Sequence, residues 1–552
     1  MDKIGHGKWG GWIVPLGVLL RLFTVITAQP GFLSISCGGK TDHTAENNIT
    51  WVTDAGYIDV GQRADIDIGN VSALGSYLHS LRYFPKPLNK SCYQLPVTPN
   101  APYLLRLWFV AGNFSLVKGN LEFSFSIETV DILATREVFS VISEQIYYEF
   151  IFVTSGRVLY ICLVRTFSSY DPFISAIELR RLQDGMYQNN IGEGGRILVL
   201  QSRYDVGGNS VVRYPQDKFD RIWTPFKSSG PSRNVSSKEP ISTTNTENLP
   251  PTAVMQTASV TLSETQPFLL DSTFDSAILL VLYFAEIETL NMSESRSFHV
   301  QLDGVQHSTI TLMRNYSALE VTISPDTEIG RVELVESTNS TLPPIINAYE
   351  YYWEINSGRP TLSDDIYILN DIKGRFHIKD WISDPCYLIP WNGISCDDIT
   401  GDIRISEIDL SGRKLTGLVP ENIGDLTALV NLSLDNNAFT GPMPNFSNLI
   451  MLERLYLQNN NFNGNIEFVS SLTNLKELYL QNNNFNGNIE FVSSLTNLKE
   501  LYLQNNNLNG NLKWLSEVKN LTKLYLQNNN FNGNLEWLSQ LKNLKELNKQ
   551  EN

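Results

Sequence analysis

The sequence predicts a mainly β N-terminal region followed by a short α/β solenoid of repeated coils. Three observations support this architecture. Short apolar runs separated by turn residues fill the first two thirds of the chain, a 23-residue block recurs near the C-terminus, and apolar residues make up 42% of the 552 positions. That composition is sufficient for several cores, which this length requires because a single core stops growing well below it.

The N-terminus has the pattern of an export signal. Two lysines precede an apolar stretch from Trp12 to Ile26, and small residues up to Ala28 offer a cleavage site. We therefore expect residues 1–28 to be a signal peptide and the mature protein to be secreted. The alternative is a signal anchor that stays in the membrane, but Arg21 leaves too short an apolar stretch for a spanning helix. No later apolar run is long enough either, so we expect membrane association only through a partner or a missing C-terminal segment.

Cysteines and glycosylation sequons suit an oxidising, extracellular setting. Five cysteines are too few for a disulfide-built scaffold, but Cys386 and Cys396 are close enough in sequence to close a small loop. Cys37, Cys92 and Cys162 leave one thiol over, and the sequence does not decide which. N-glycosylation sequons occur at Asn48, Asn70, Asn89, Asn113, Asn234, Asn291, Asn315, Asn339, Asn431, Asn445 and Asn520.

The region from residue 29 to about residue 356 has the pattern of β-sandwiches. Runs such as 103–110, 158–164 and 277–284 are rich in β-branched and aromatic residues and are bounded by turn signals. The Ser/Thr/Asn/Pro-rich stretch from Ser228 to Pro251 has little to bury. We expect it to be an exposed loop, although the same composition is typical of a linker.

A 23-residue repeat is the clearest feature of the C-terminal third. The segment Tyr456–Leu478 recurs without a change at Tyr479–Leu501. Looser copies begin near Ile408, Leu432, Leu501 and Leu524. Their common pattern, L-x-x-L-x-L-x-x-N-x-L/F-x-G, is that of leucine-rich repeats. We expect about six coils over residues 405–552, which exceeds the roughly three coils that such a solenoid needs for stability.

Each repeated residue type has a physical reason. In Leu455-Tyr456-Leu457 the leucines point into the core and the tyrosine points outward from a short strand. In four of the coils, an asparagine lies at a turn where a buried amide satisfies backbone groups of its own and the neighbouring coil. In the same four coils, a glycine lies where the chain bends sharply. The asparagines are Asn460, Asn483, Asn506 and Asn529, and the glycines are Gly464, Gly487, Gly510 and Gly533.

Proline distinguishes the early coils from the later ones. The first two coils end in Leu-Thr-Gly-Leu-Val-Pro at Pro420 and Gly-Pro-Met-Pro at Pro444, a form that resembles plant-type leucine-rich repeats. Later coils have other residues at the equivalent place, namely Glu467, Glu490, Lys513 and Glu536. We expect this exchange to loosen the convex side of the solenoid without disturbing the strand or its core.

Several motifs of the β region resemble those of a known family. They are Gly31–Gly39, Asn89–Tyr93, Val212–Trp223 and Asn347–Glu350. Together with the repeats they resemble the extracellular half of plant malectin-like/leucine-rich-repeat receptor-like kinases of the symbiosis receptor-like kinase type. The resemblance implies two tandem malectin-like β-sandwiches, at residues 29–185 and 186–356, in front of the leucine-rich-repeat solenoid.

The junction between the two regions also resembles this family. Asp380–Cys386 and Pro390–Cys396 resemble a cysteine-paired cap that shields the first coil, since an exposed solenoid end needs a cover. The resemblance thus implies a linker and cap at residues 357–404 with a Cys386–Cys396 disulfide. The family usually has glycine before Asp-Pro-Cys, where this chain has Ser383. Its members continue into a transmembrane helix and an intracellular kinase, and this sequence contains neither pattern.

The sequence argues against catalysis and against nucleic-acid binding. It contains no phosphate-binding loop, zinc-protease, nucleophile-elbow or kinase catalytic motif, so we expect no catalytic residues, cofactor or metal site. A formal net charge of -16 opposes binding to a phosphate backbone, because such binding depends on clustered Lys and Arg.

The concave face of the solenoid is the first candidate binding surface. Tyrosine combines apolar area with a hydroxyl at low entropic cost, so we expect a stripe of tyrosines to bind a peptide or protein ligand or a co-receptor ectodomain. The alternative is that duplication copied the tyrosines passively. Asn431 projects from the same face, and a glycan there would move the contact to later coils. The predicted contact residues are Tyr456, Gln458, Tyr479, Gln481, Tyr502, Gln504, Tyr525 and Gln527.

The sandwich loops are the second candidate surface. The resemblance to malectin suggests carbohydrate binding through aromatic stacking and carboxylate hydrogen bonds, with a cell-wall glycan as a candidate partner. Trp51, Tyr57 and Asp59 have suitable chemistry. The alternative is that these aromatic residues belong to the core, as aromatic residues of β-rich regions usually do.

These features favour a receptor-like extracellular protein of plant cell-surface signalling that binds a ligand or a co-receptor without catalysis of its own. One alternative is a truncated product of a receptor Ser/Thr kinase whose catalytic half is absent. A second is a soluble decoy that competes with such receptors, and a third is a carbohydrate-binding module.

Overall fold

The structure is a computed structural model that describes residues 31–548, apart from 67–74, 111–122, 128–129, 134–145, 155, 166–170, 188–195, 227–229, 263–266, 271–278, 314–315, 325–328, 356–358 and 388. The predicted signal peptide and the sequons at Asn70, Asn113 and Asn315 lie outside the described residues. Across the described ranges, no helix combines the length and the apolarity needed to cross a bilayer.

The first half of the β region is a sandwich, as the short apolar runs predict. Its strands are β1 (Phe32–Ser36), β2 (His43–Thr44), β3 (Thr50–Thr53), β4 (Gln62–Asp65), β5 (Ser80–Tyr83), β6 (Lys90–Pro96), β7 (Pro102–Phe109), β8 (Ser124–Ile127), β9 (Val130–Leu133), β10 (Ile146–Val153), β11 (Val158–Val164), β12 (Phe173–Ile174) and β13 (Ala176–Arg181). A short 3-10 helix lies at Ser76–Leu78. Every side chain of β7 is buried, because this strand lies in the middle of its sheet with both faces covered.

The second half repeats this architecture. Its strands are β14 (Ile197–Asp205), β15 (Thr224–Pro225), β16 (Ser232–Ser236), β17 (Thr257–Thr261), β18 (Phe268–Leu269), β19 (Leu279–Phe284), β20 (Arg296–Leu302), β21 (Val305–Leu312), β22 (Leu319–Ile323), β23 (Val332–Glu336), β24 (Ile345–Ile346) and β25 (Ala348–Ile355), and its helix is α1 (Thr252–Met255). The expected exposed loop at Ser228–Pro251 is only partly a loop. Strand β16 lies inside it, and its Asn248 is fully buried with Oδ1 accepting a hydrogen bond from the Tyr187 backbone N–H at 2.7 Å.

One sheet runs through both halves. Its order is β2-β3-β1-β13-β7-β10-β14-β25-β19-β22, with β15 beside β14. The halves meet where β10 pairs with β14 through Phe150 opposite Val199 and Ile151 opposite Leu198. Smaller sheets complete the two sandwiches: β6-β11-β8-β9 and β12-β5-β4 in the first, β18-β23-β20-β21 and β16-β17-β24 in the second. The predicted boundary between the two sandwiches, at residue 185, falls in the connection from β13 to β14. Both of these strands belong to the sheet that the two sandwiches share.

Buried charges lie along the seam between the halves. The fully buried Arg106 guanidinium contacts Glu149 at 2.5 Å and also pairs with Glu178. Arg203, equally buried, joins Glu149 to Glu350 with nitrogen-to-oxygen distances of 2.6 Å each. Glu149 therefore receives one arginine from each half of the β region, and the ion pairs connect the two sandwiches directly.

The segment Val212–Trp223 forms a strap across this seam. Its Asp220 accepts ion pairs from Arg180 and from Arg213, both at 2.9 Å. Its Arg221 pairs with Asp217 at 2.8 Å and donates to the Tyr187 hydroxyl, which in turn contacts Glu350. Buried charges are tolerated only when paired and hydrogen-bonded, and here each charge has its counterpart. The motif that carries the family resemblance is thus a structural strap.

The two disulfides are now assigned. Cys92 and Cys162 are bonded and lie directly opposite each other on β6 and β11, whereas Cys37 is buried as a free thiol. Cys386 and Cys396 are bonded as predicted. Strand pairing decides the partner of Cys92, which explains why the sequence alone left the choice open.

A cap covers the first coil of the solenoid. Helix α2 (Ser363–Phe376) buries Ile368, Leu369 and Ile372 against it, while Trp381 and Trp391 stack with ring centroids 5.1 Å apart. The cap also touches the first sandwich. Lys90 Nζ donates to the Tyr387 carbonyl at 3.0 Å, and the Cys92–Cys162 disulfide packs against Ile382 and Ile389.

The cap turn contains a strained serine. Ser383 has a φ of 67°, a left-handed backbone conformation that residues other than glycine rarely adopt. Its hydroxyl oxygen is buried and has no hydrogen-bond partner in the part of the chain that the structure describes. Next to it, the Asp384 carboxylate accepts from the Thr361, Cys386 and Tyr387 backbone N–H groups, which fixes the turn.

The C-terminal third is a regular spiral. Its strands are β26 (Ile394–Ile399), β27 (Asp402–Asp409), β28 (Thr416–Gly417), β29 (Asn431–Ser433), β30 (Ala438–Gly441), β31 (Arg454–Tyr456), β32 (Asn461–Asn465), β33 (Glu477–Tyr479), β34 (Asn484–Asn488), β35 (Glu500–Tyr502), β36 (Asn507–Asn511), β37 (Lys523–Tyr525), β38 (Asn530–Asn532) and β39 (Glu546–Asn548). The concave sheet has the order β26-β27-β29-β31-β33-β35-β37-β39, parallel from β27 onward, and a second sheet has the order β28-β30-β32-β34-β36-β38. Six coils were expected, and β39 adds the strand of a further one.

The convex side does not loosen where proline is missing, so this expectation is wrong. Short 3-10 helices occupy the convex side at Glu421–Asp425, Ile466–Val469, Ile489–Ser494, Leu512–Glu517 and Glu536–Gln540. The Asn465 side chain caps one of them by accepting from the Glu467 backbone N–H at 3.0 Å, and Asn488 does the same for Glu490 at 2.9 Å. Gly487 in the next coil has a φ of 104°, and a Cβ there would clash with Asn465 Oδ1. In these later coils an asparagine side chain therefore caps the start of the 3-10 helix, where Pro420 precedes the helix in the first coil.

Replacing Arg203 by methionine should strongly destabilise the sandwiches. Methionine retains much of the length of the side chain but removes the cation between Glu149 and Glu350, and breaking one partner of a buried pair costs about 3–5 kcal/mol. Urea unfolding followed by tryptophan fluorescence measures the loss. Arg233→Met is the matched control, since the Arg233–Glu288 pair is partly exposed and should cost under about 1 kcal/mol. Equal losses for both variants would contradict the importance of the seam.

The Asp205 carboxylate should make the second sandwich less stable as the pH rises from about 4 to about 6. Burial raises the pKa of Asp205 from 3.8 to about 6, although Thr257 and Gly208 donate hydrogen bonds to it. Its contribution is fully present below its unfolded pKa and is lost as the pH rises through its folded pKa. We expect a loss of up to about 3 kcal/mol, measured by urea unfolding across this range. Asp205→Asn should flatten the profile, and an unchanged slope would disprove the assignment.

Replacing Ser383 by glycine should stabilise the cap. Glycine adopts a positive φ without strain, and the change also removes the unpartnered hydroxyl, so we expect a gain of roughly 1 kcal/mol. Ser470→Gly is the control with the opposite sign, because Ser470 has a φ of -61° and glycine is unfavourable there. Differential scanning calorimetry measures the thermal unfolding midpoint of each variant and of the wild type. A midpoint for Ser383→Gly below that of the wild type would refute the strain.

Candidate functional site

The internal asparagine ladder positions the concave face. Asn460 Nδ2 donates to the Leu434 carbonyl of the preceding coil at 3.0 Å and to the Leu457 carbonyl of its own coil at 3.2 Å. Its Oδ1 accepts from the Phe439 backbone N–H at 3.0 Å. Asn483, Asn506 and Asn529 repeat this pattern, as predicted. Every coil is therefore held in the same register as its neighbours.

The four predicted tyrosines form a continuous column on the concave sheet. Tyr456, Tyr479, Tyr502 and Tyr525 are in register on β31, β33, β35 and β37, and each is half-buried. Their ring centroids lie 5.0, 4.3 and 4.5 Å apart in successive pairs. The last pair is stacked with an interplanar angle of 10°. The rings support one another and still present one side to solvent, which is the arrangement of an aromatic contact surface.

Most of these tyrosines are anchored by a glutamate of the next coil. The Tyr456 hydroxyl donates to Glu477, the Tyr479 hydroxyl donates to Glu500, and the Tyr525 hydroxyl donates to Glu546 at 3.0 Å. Burial, followed by these hydrogen bonds to carboxylates, raises the pKa of Tyr456 and Tyr479 well above the usual value. The phenols therefore keep their protons at neutral pH and are suited to contact and hydrogen bonding.

Tyr502 is the exception in this column. The position that holds glutamate in the other coils is Lys523, which forms an ion pair with Glu500 at 3.1 Å. Over the described ranges, the Tyr502 hydroxyl has no hydrogen-bond partner. Arg454, Glu477, Glu500 and Lys523 are in register on successive strands and form a charged column. At its first position, Arg454 Nη1 donates to Asn431 Oδ1 at 2.7 Å. Two glutamates, Glu477 and Glu500, thus lie between the cations Arg454 and Lys523 in this column.

The glutamines form a second column beside the tyrosines. Gln458, Gln481, Gln504 and Gln527 are half-buried, and the Oε1 atom of each is buried without a hydrogen-bond partner in the described structure. Along the rim, an exposed ladder runs from Asn436 to Asn528. Within it Asn459 donates to Asn436 at 2.7 Å, and the side chains of Asn482, Asn505 and Asn528 continue the chain. Polar amides thus border the aromatic stripe along its length.

The sandwich residues proposed for sugar contact separate into two groups. Trp51 is fully buried and stacks on Tyr77 with centroids 3.9 Å apart, so it belongs to the core and cannot stack on a sugar. Its assignment to a glycan site is therefore wrong. Tyr57 is half-buried and Asp59 is exposed, so both stay accessible. Burial and the nearby Asp42 raise the pKa of Tyr57.

The described sequons are accessible with one qualification. Asn48, Asn89, Asn234, Asn291, Asn339, Asn445 and Asn520 are exposed. Asn431 is half-buried and engaged by Arg454 on the concave face, as its register in the repeat predicts. A glycan there would attach to Nδ2 and leave Oδ1 as the acceptor of this contact.

Sequence reasoning missed the link between tyrosines and glutamates. A hydroxyl and its carboxylate are 21 residues apart, which is one 23-residue period less two positions. Residues two positions apart on a strand share a face, so this spacing makes them diagonal neighbours on adjacent coils. The period and the strand alternation together carried this signal.

Comparison with known families identifies the β region. Residues 35–353 match the malectin-like domain, and residues 474–495 match the leucine-rich repeat. The chain belongs to the malectin-like family. The malectin-like match covers both sandwiches and the strap between them, and the repeat match lies in the tyrosine-bearing coils.

Curated relatives in Arabidopsis thaliana carry the names of leucine-rich repeat receptor-like kinases. A leucine-rich repeat receptor-like serine/threonine-protein kinase is 30% identical over 423 residues, covering 73% of this chain and 48% of the relative. The LRR receptor-like serine/threonine-protein kinase IOS1 is 30% identical over 447 residues, covering 75% of this chain and 48% of the relative. The chain therefore spans about half the length of the curated relatives it matches.

Solved structures agree on the malectin-like fold. The ANX2 ectodomain from Arabidopsis thaliana has a TM-score of 0.51 at 14% identity and covers 59% of this chain and 97% of its own. The plant receptor-like kinase FER has a TM-score of 0.50 at 17% identity and covers 59% and 96%. At these identities the likeness establishes the fold.

Proposed function

We propose that this chain is the extracellular recognition part of a plant receptor-like protein and that its concave solenoid face binds a peptide or protein ligand, or a co-receptor ectodomain. The chain acts without catalysis of its own, and any signalling step belongs to a separate domain or protein. Its relatives' names as receptor-like kinases support a role in perception at the cell surface, reached by secretion.

The observation that carries the proposal is the four-rung column of half-exposed tyrosines. Aromatic residues that are rigid, partly buried and flanked by polar groups are typical centres of protein interfaces. Tyr479 lies between two further rings and is held by Glu500, so little conformational entropy is lost on contact. Passive copying by duplication explains identical coils at 456–501, but Tyr525 lies in a coil that has diverged at other positions.

The partner's contact should fall on the later coils. Asn431 carries a sequon on β29, and a glycan there would obstruct the concave face of the early coils. The column from Tyr479 to Tyr525 lies beyond it. A second candidate function, glycan binding by the first sandwich, retains only Tyr57 and Asp59 as accessible residues.

Replacing Tyr479 and Tyr502 by alanine should weaken partner binding by roughly tenfold or more, since interface aromatic residues often contribute over about 1.4 kcal/mol each. The secreted chain is applied to plant cells at graded concentrations, and saturable surface binding is measured. Trp514→Ala is the matched control, because Trp514 is a half-buried aromatic residue on the convex 3-10 helix. Binding of the double variant equal to that of the wild type would refute the proposal.

A folding control accompanies this experiment. The tyrosines contact one another and the neighbouring coils, so the thermal midpoint of each variant is measured by circular dichroism. Tyr479→Phe retains the ring and removes only the hydroxyl that donates to Glu500. It should fold normally and keep most of the binding, which separates the role of the ring from that of the hydrogen bond.

A further inference from the structure

A cleft lies at the contact between the first sandwich and the solenoid cap. Its volume is about 430 Å³, which is within the range of sites that hold small ligands. Its apolar wall includes Leu88 from the sandwich and Ile382, Ile389 and Pro390 from the cap. Among the described residues, the contact around the cleft includes the Lys90 hydrogen bond and the packing of one disulfide against Ile382 and Ile389. A group that filled this cleft would contact both parts at once.

The polar groups of the cleft favour an uncharged occupant with acceptor oxygens. The Lys90 ammonium has three donors, and in the described structure only the Tyr387 carbonyl accepts from it. Burial lowers the pKa of Lys90 to about 8, and the nearby Asp384 carboxylate opposes this shift only in part. Asp380 lines the same cleft and Asp384 lies near Lys90, so an anion would meet like charges. Hydroxyl and amide oxygens fit this mixture better.

One glycosylation sequon lies in the cleft wall. Asn89-Lys90-Ser91 matches N-x-[ST], and the Asn89 side chain is exposed. None of the other sequons in the described ranges belongs to a residue lining this cleft. A sugar attached to Asn89 is tethered beside the cleft, so its effective concentration there is high without any added affinity.

We propose that the N-linked glycan of Asn89 occupies this cleft and braces the first sandwich against the solenoid cap. The first sugars present apolar faces to Ile389 and Pro390, and their hydroxyl and acetamido oxygens accept hydrogen bonds from Lys90. The modification thereby limits the motion of the solenoid relative to the sandwiches. This proposal rests on the extracellular setting proposed above, since N-glycosylation requires passage through the secretory pathway.

Native deglycosylation tests where the sugar lies. The full chain is secreted from cultured animal cells, and glycopeptide mapping follows release by peptide N-glycosidase over time. We expect the Asn89 glycan to be released roughly tenfold more slowly than the Asn291 glycan in the native protein, because the enzyme must wait for the sugar to leave the cleft. Both should be released equally fast after denaturation. Equal native rates, or an unmodified Asn89, would overturn the proposal.

Hydrogen–deuterium exchange tests the bracing role. Asn89→Gln removes the glycan, and we expect the cap segment 380–392 to exchange several-fold faster than in the wild type. Asn291→Gln is the control, because Asn291 is an exposed sequon in the second sandwich, and it should leave this segment unchanged. Exchange in 380–392 that is the same with and without the Asn89 glycan refutes the bracing. Neither measurement involves the tyrosine column, so its result is independent of partner binding.

Discussion

The buried asparagine amides of the solenoid are the constraint on which the arrangement of the concave face depends. Asn460 and its equivalents donate to carbonyls of two coils and accept from a backbone N–H of the preceding one. Because buried amides require such partners, a coil that shifted along its neighbour would leave several polar groups unsatisfied. The interior thus fixes the register, and the register aligns the tyrosine rings, the glutamates that hold them and the glutamines beside them.

The seam of the sandwiches is held in a different way. Strands β10 and β14 contribute two residue pairs in the described ranges, and Leu104 and Ile151 of the first half pack into the core of the second. Arginines and carboxylates from both halves and from the strap add buried ion pairs across this seam. The first sandwich meets the solenoid cap where Lys90 donates to the Tyr387 carbonyl.

Contacts between residues at short or regular sequence distances could be predicted from the sequence, and contacts between distant residues could not. The 23-residue period revealed the solenoid, the asparagine ladder, the bends at glycine and the outward tyrosines, because each partner lies one coil away. The Cys386–Cys396 bridge is equally local. By contrast, Arg203 and Glu350 are 147 residues apart and Cys92 and Cys162 are 70 apart, with no periodicity to relate them. Trp51 shows a further limit, since its residue type is suited both to a core and to a sugar site.

The two identical coils have a consequence for any partner that lies along the column. Tyr456 with Glu477 and Tyr479 with Glu500 present the same pattern twice, so a partner displaced by one strand spacing, about 4.8 Å, meets an almost equivalent surface. Translational degeneracy of this kind is removed only at the ends. Arg454 interrupts the pattern on one side and Lys523 on the other, so these two cations would fix the position of a partner bound along the column.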